Sequence, residues 1–135
     1  MLVATHEGND SAVKALIKHG AKINERSREG DTPFLGAAGT AQGTAVLQLL
    51  IDAGADVHAT DEHGWNGLML AAWNHNSEAV RLLTDLGLDP CLMDPSGRLG
   101  IDFVEWNLNE DPGKQDLEAF FKKRCPHQTS SPIVK

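Results

Sequence analysis

Two series of glycines set the register of this chain. Gly20, Gly54 and Gly87 each follow an apolar stretch, at intervals of 34 and 33 residues, and Gly30, Gly64 and Gly97 repeat the same two intervals. A fixed period of this length signals a stack of similar units, none of which buries its apolar face alone. The clearest unit runs from Asp61 to Leu92. It reads as a turn at His63-Gly64, a first helix around Met69 to Trp73, a polar break at Asn74 to Ser77, and a second helix from Glu78 to about Leu86.

The other units follow by superposition. Ala37-Ala38 answers Ala71-Ala72, and Val46, Leu49 and Leu50 answer Ala79, Leu82 and Leu83. In the segment SAVKALIKHG, Val13, Leu16 and Ile17 fall at i, i+3 and i+4, which puts them on one helical face, and Gly20 supplies the left-handed position after it. Thr32 is a good N-cap, and Pro33 suits the first helical position, where a missing N–H costs nothing. Small residues at Ala37 and Ala38 let neighbouring units approach closely.

The segments TPFLGAA at Thr32 to Ala38, GADVHAT at Gly54 to Thr60 and GAKIN at Gly20 to Asn24 resemble the signature and hairpin entry of the ankyrin repeat. The resemblance covers roughly residues 1–125. It implies an all-α repeat solenoid of about three and a half helix-turn-helix units, joined by β-hairpin-like loops. The repeats are expected at about 1–24, 25–60, 61–92 and 93–125, followed by a disordered tail at 126–135 that carries two prolines and no apolar period.

The chain departs from the family pattern in places. Leu35 and Met69 stand where the signature has a hydrogen-bonding His, which implies hairpins looser by about 1 kcal/mol per lost bond. Asn66-Gly67 replaces Thr32-Pro33. The fourth repeat is degenerate: Ile101, Phe103 and Val104 match Leu68, Leu70 and Ala71, but Leu99-Gly100 has lost the cap. Its connecting loop, NEDPGK at Asn109 to Lys114, is longer by five residues than its counterpart. Residues 1–5 align with 68–72, so the sequence begins inside a repeat, which is compatible with a larger parent protein or with removal of a leader.

Size and charge bound the function. At 135 residues with 41% hydrophobic residues, the chain is one domain with a core, and a net charge of −7 argues against a nucleic-acid footprint or an anionic membrane partner. No apolar run is long enough for a membrane span and the first residues lack the features of a secretory signal, which favours a cytoplasmic, monomeric protein. Cys91 and Cys125 have no CxxC spacing and read as reduced bystanders. A bridge between them is the alternative, and it would imply an oxidising compartment.

For chemistry the sequence offers little. No catalytic motif or phosphate-binding loop is present, and no cofactor is implied. Cys91 with His63 or His75 would need a closed pocket, which an open groove does not supply. His58 and His63 lie five apart on one hairpin, but no Cys or His at matching spacing completes a metal site.

What remains is the surface that the resemblance implies for partners, namely the hairpin tips and the exposed side of the first helices. Those slots hold Glu62, His63, Trp65, Trp73 and Asn74 in the third repeat, and Arg98, Trp106 and Asn107 in the fourth. In the second repeat they include Arg28 and Asp31. All three tryptophans thus fall on slots expected to be exposed, with Trp73 and Trp106 equivalent and adjacent. The expected function is non-catalytic protein binding through this groove, with the tryptophans as anchors and the polar residues around them. The alternatives are a regulatory or substrate-recruiting segment of a larger enzyme, channel or effector, and a solitary ankyrin protein that holds a peptide or small ligand. The competing structural role is that Trp73 and Trp106 stack on each other, or lie under the loop Asn109 to Lys114, to close a weak end repeat.

Overall fold

A computed structural model describes Thr5 and residues 9–40 and 44–125. Residues 1–4, 6–8 and 41–43 and the expected tail at 126–135 lie outside the described residues. Seven helices are found among those described: α1 (Asp10–Lys18), α2 (Pro33–Ala38), α3 (Ala45–Asp52), α4 (Gly67–Trp73), α5 (Ser77–Asp85), α6 (Gly100–Trp106) and α7 (Pro112–Arg124). The last six form three antiparallel pairs, α2 with α3, α4 with α5 and α6 with α7.

Pairs stack side by side. The first helices make one layer, α2 against α4 and α4 against α6, and second helices meet as α1 on α3 and α5 on α7. The apolar side chains that the period places inward are the ones removed from water: Phe34, Leu35, Leu47, Leu50, Leu68, Met69, Val80, Leu83, Phe103, Val104, Leu117 and Phe121. Each large side chain buried this way contributes about 1.5–3 kcal/mol. Ala38, Ala71 and Ala72 are fully buried where neighbouring first helices touch, as the close approach of units requires.

Local sequence explains where each helix starts. Thr32 Oγ1 accepts the Leu35 N–H at 3.2 Å, Asn66 Oδ1 the Met69 N–H at 3.0 Å and Asn76 Oδ1 the Ala79 N–H at 3.0 Å. The fourth repeat recovers part of its lost cap. Leu99 has no acceptor to offer, but Asp102 reaches back to take the Leu99 N–H at 2.8 Å, half of a capping box. All six glycines of the two series have positive φ, between 79° and 103°, which accounts for both intervals at once.

The loop expected over Asn109 to Lys114 is shorter than its sequence suggested. Pro112 is the first residue of α7, and Asp111 caps it by accepting the Lys114 N–H at 2.9 Å. A proline after a capping carboxylate starts a helix rather than extending a loop.

The two cysteines also require a correction. They are joined, Cys91 to Cys125, with Cα atoms 5.7 Å apart. The pairing was hidden because the partners sit 34 residues apart, one repeat along, and a search for close spacing misses such a pair. The slot explains the contact. Cys91 occupies the position held by Asn24 in the first repeat, and the Asn24 side chain accepts the Asp56 N–H at 2.8 Å and donates to the Gly54 carbonyl at 3.4 Å, just past α3. In the last pair the same slot reaches the end of α7, and a covalent bond replaces the hydrogen bonds.

Candidate aromatic binding cleft

Periodicity assembles the site. Leu70 and Trp73 are one turn apart on α4, Phe103 and Trp106 occupy the equivalent places on α6, and the two helices pack side by side. The i, i+3 spacing puts both members of each pair on one face. Trp65, on the hairpin before α4, closes the end. The five side chains enclose a cleft of about 230 Å³ with apolar walls.

Within it the rings interlock. Trp65 meets Phe103 edge to face with centroids 5.4 Å apart and Trp106 in the same manner at 5.8 Å, while Phe103 and Trp106 are 6.1 Å apart. Such geometry is favoured by the ring quadrupoles. Trp73 remains 44% and Trp106 51% exposed, so both present apolar surface to solvent.

Trp65 departs from its expected exposure. It is half-buried, its ring packs on the core, and its indole N–H donates to Asp94 Oδ2 at 2.9 Å. It is a wall of the cleft rather than a free anchor. The reason is Asp94, which heads the next hairpin and is itself buried. Its Oδ1 accepts the Ser96 and Arg98 N–H groups at 2.9 and 2.7 Å, holding the turn, and its Oδ2 is left to take the indole and, at 3.4 Å, the Arg98 guanidinium. Arg98 then lies 5.0 Å from the centre of the Trp106 ring. Asp61 holds the preceding turn in the same way, accepting the His63 and Trp65 N–H groups at 2.9 and 3.0 Å.

The remaining expected contacts divide by location. Glu62 and His63 are exposed at the rim, 3.9 Å apart, and the His63 ring lies 4.7 Å from that of Trp65. Asn74 and Asn107 are occupied by the stack: the Asn74 amide donates to the Gly39 carbonyl at 2.8 Å, and the Asn107 amide to the Trp73 carbonyl at 2.6 Å. These equivalent bonds tie each first helix to the one before it and fix the spacing of the two exposed indoles. Arg28 and Asp31 sit on the second repeat's hairpin, which borders Glu62 but does not line the cleft. Leu70, Phe103 and Asp94 belong to the site although sequence reasoning assigned them no part in it. The equivalence of Asp94 with Asp61 in the register was the available signal.

A second polar cluster braces the cleft from behind. His75 is buried with φ +56°, and its ring nitrogens face Asp111 Oδ2 and the Val104 carbonyl, both at 2.9 Å. Both partners are acceptors, so the ring sits between a carboxylate on one side and a backbone carbonyl on the other. The His75 side chain and then the Lys114 N–H hold the Asp111 carboxyl below its ordinary range, against the opposing effect of its partial burial. This bridge joins the turn after α4 to the end of α6 and the start of α7. On the back of the stack, Arg81 pairs with Asp116 at 2.6 Å and, with Ser77, lowers the Asp116 carboxyl.

Among the described residues no group of three or more His, Cys, Asp and Glu side chains is arranged to hold a metal ion, and no helix is long and apolar enough to cross a membrane.

Comparison with known proteins agrees with this architecture. A family model described as ankyrin repeats, in three copies, matches residues 1–94, more than two thirds of the chain. Curated relatives include ankyrin repeat and SOCS box protein 6 from Pongo abelii, 35% identical over 86 residues, covering 58% of this chain and 20% of that protein. The protein of the same name from Homo sapiens is 34% identical over 86 residues, with 58% and 20% covered. That from Mus musculus is 35% identical, with 58% and 21% covered. The chain thus spans about a fifth of the length of the curated relatives it matches.

Proposed function

The chain belongs to the ankyrin repeat family, and on that premise we propose that it is a non-catalytic module that docks a protein partner in the cleft between α4 and α6. Ankyrin repeats are generally protein-interaction modules. The observation that carries the finer reading is the open aromatic cleft of Trp65, Leu70, Trp73, Phe103 and Trp106 on a chain of net charge −7. Large indole surfaces left in water beside a preformed hollow have the character of interface anchors. Glu62, His63 and Arg98 form its polar rim, and the acidic balance suits a protein rather than a phosphate backbone.

Panning a displayed random peptide library against the folded domain tests this. Selected peptides should converge on a short consensus and lose binding to a Trp73→Ala/Trp106→Ala variant whose circular dichroism is unchanged. Equal binding to that variant would place the interface elsewhere.

The length of the relatives favours a second reading, in which this stack is the recruiting segment of a longer protein. The full reading frame around residues 1–135 decides it. The Cys91–Cys125 bridge, in turn, favours an oxidising compartment over the cytoplasm, and mass spectrometry of the native protein after thiol blocking checks that.

A further inference from the structure

One side of the cleft is built from an acidic stretch of the chain. Between residues 29 and 80 the chain has seven Asp and Glu and not one Lys or Arg, while the remaining twelve acidic residues balance the twelve basic ones, so this block holds the whole net charge of −7. It contains the Asp61–Trp65 hairpin and α4, which form one side of the cleft, and Glu62 is exposed at the rim.

Aromatic faces attract cations, best on tryptophan and when water is excluded. Arginine suits such a place better than lysine, because its planar guanidinium is weakly hydrated and stacks on rings. The molecule already uses the contact three times: Arg98 lies 5.0 Å from the Trp106 ring centre, and Arg81 and Arg124 lie 5.4 and 5.0 Å from that of Phe120. The chain's own arginine is committed, since Arg98 is tethered to buried Asp94.

We infer that the partner presented to this cleft is a basic peptide segment that inserts an arginine side chain among Trp65, Trp73 and Trp106. The inference rests on the docking reading above and adds the chemistry of the anchor. The acidic block draws the segment in and sets its on-rate. The indole walls then select a flat cation over a hydrated one.

Fluorescence anisotropy with three labelled peptides decides the matter: a Gly-Ser peptide carrying two arginines, the same peptide with uncharged citrulline in their place, and one with leucine. The arginine peptide should bind about tenfold more tightly than either analogue, weaken as salt rises, and lose about tenfold on the folded Trp73→Ala/Trp106→Ala variant. Tighter binding of the leucine peptide would overturn the cationic anchor while leaving the cleft as the docking site. Equal binding of the arginine peptide to wild type and variant would also overturn it, because the acidic surface alone would then be responsible. If none of the three binds, the arginine anchor is refuted, and the library selection separately decides whether the cleft docks a partner at all.

Discussion

Removing the Cys91–Cys125 bridge should weaken the fold by an amount that its position in the chain sets. Its ends are 34 residues apart, and closing a loop of that length in the unfolded chain corresponds to about 3.8 kcal/mol of conformational entropy at 25 °C. For a chain of 135 residues, that is a fall of roughly 13 °C in Tm. The helix it secures does not depend on the bridge alone, because Leu117, Phe120 and Phe121 of α7 are buried in the stack. The reduced protein should therefore remain folded but open first at α7, the helix that the bridge secures. Urea or thermal unfolding of the wild type, with and without reductant, beside a Cys91→Ser/Cys125→Ser variant, measures the effect. Reductant and variant should give the same shift, and reductant should do nothing to the variant. A shift under about 1 kcal/mol, or exchange protection lost evenly along the chain, would refute the reasoning.

Three further changes probe the brace and the site. At Gly113 an added Cβ would collide with the His75 carbonyl oxygen, so Gly113→Ala should cost about 1–3 kcal/mol in urea unfolding; an unchanged midpoint would mean that α7 can shift away. Because the folded Asp111 carboxyl is held below the ordinary value of 3.8, its contribution is complete above that value and is lost as pH falls through the lower folded one. Asp111→Asn should accordingly be less stable at pH 7 and show a shallower loss toward pH 2, and parallel pH profiles for the two proteins would contradict the His75 bridge. Asp94→Ala releases both the Trp65 indole and Arg98 and should cost about 1–3 kcal/mol, with a changed near-UV circular dichroism signal from Trp65; an identical spectrum would show that the ring is held by packing alone.

Much of this was legible in the chain because period and chemistry are local. The glycines at 20, 54 and 87 and the caps at Thr32 and Asn66 act within a few residues of themselves, and their spacing alone reports the stack. The equivalence of Trp73 and Trp106 placed both rings on one surface for the same reason. What escaped was set by contacts one repeat away. Trp65 looked exposed because nothing near it in sequence covers it; its cover is Phe103 and Trp106, and its hydrogen-bond partner Asp94 is 29 residues along. Asn74 and Asn107 looked available for the same reason, yet each amide is used by the preceding unit. The long-range bridge from His75 to Asp111, and that from Cys91 to Cys125, needed the stacking distance itself.

Trp73 and Trp106 should be open to solvent in the free protein and covered when a partner binds. Acrylamide quenching of single-tryptophan variants tests it most directly, with Trp65 and the other site each replaced by phenylalanine. Quenching should be ready at Trp73 and Trp106, and should fall markedly at both when a library-selected peptide saturates the domain. Shielded rings in the free protein, or quenching that saturating peptide leaves unchanged, would contradict it.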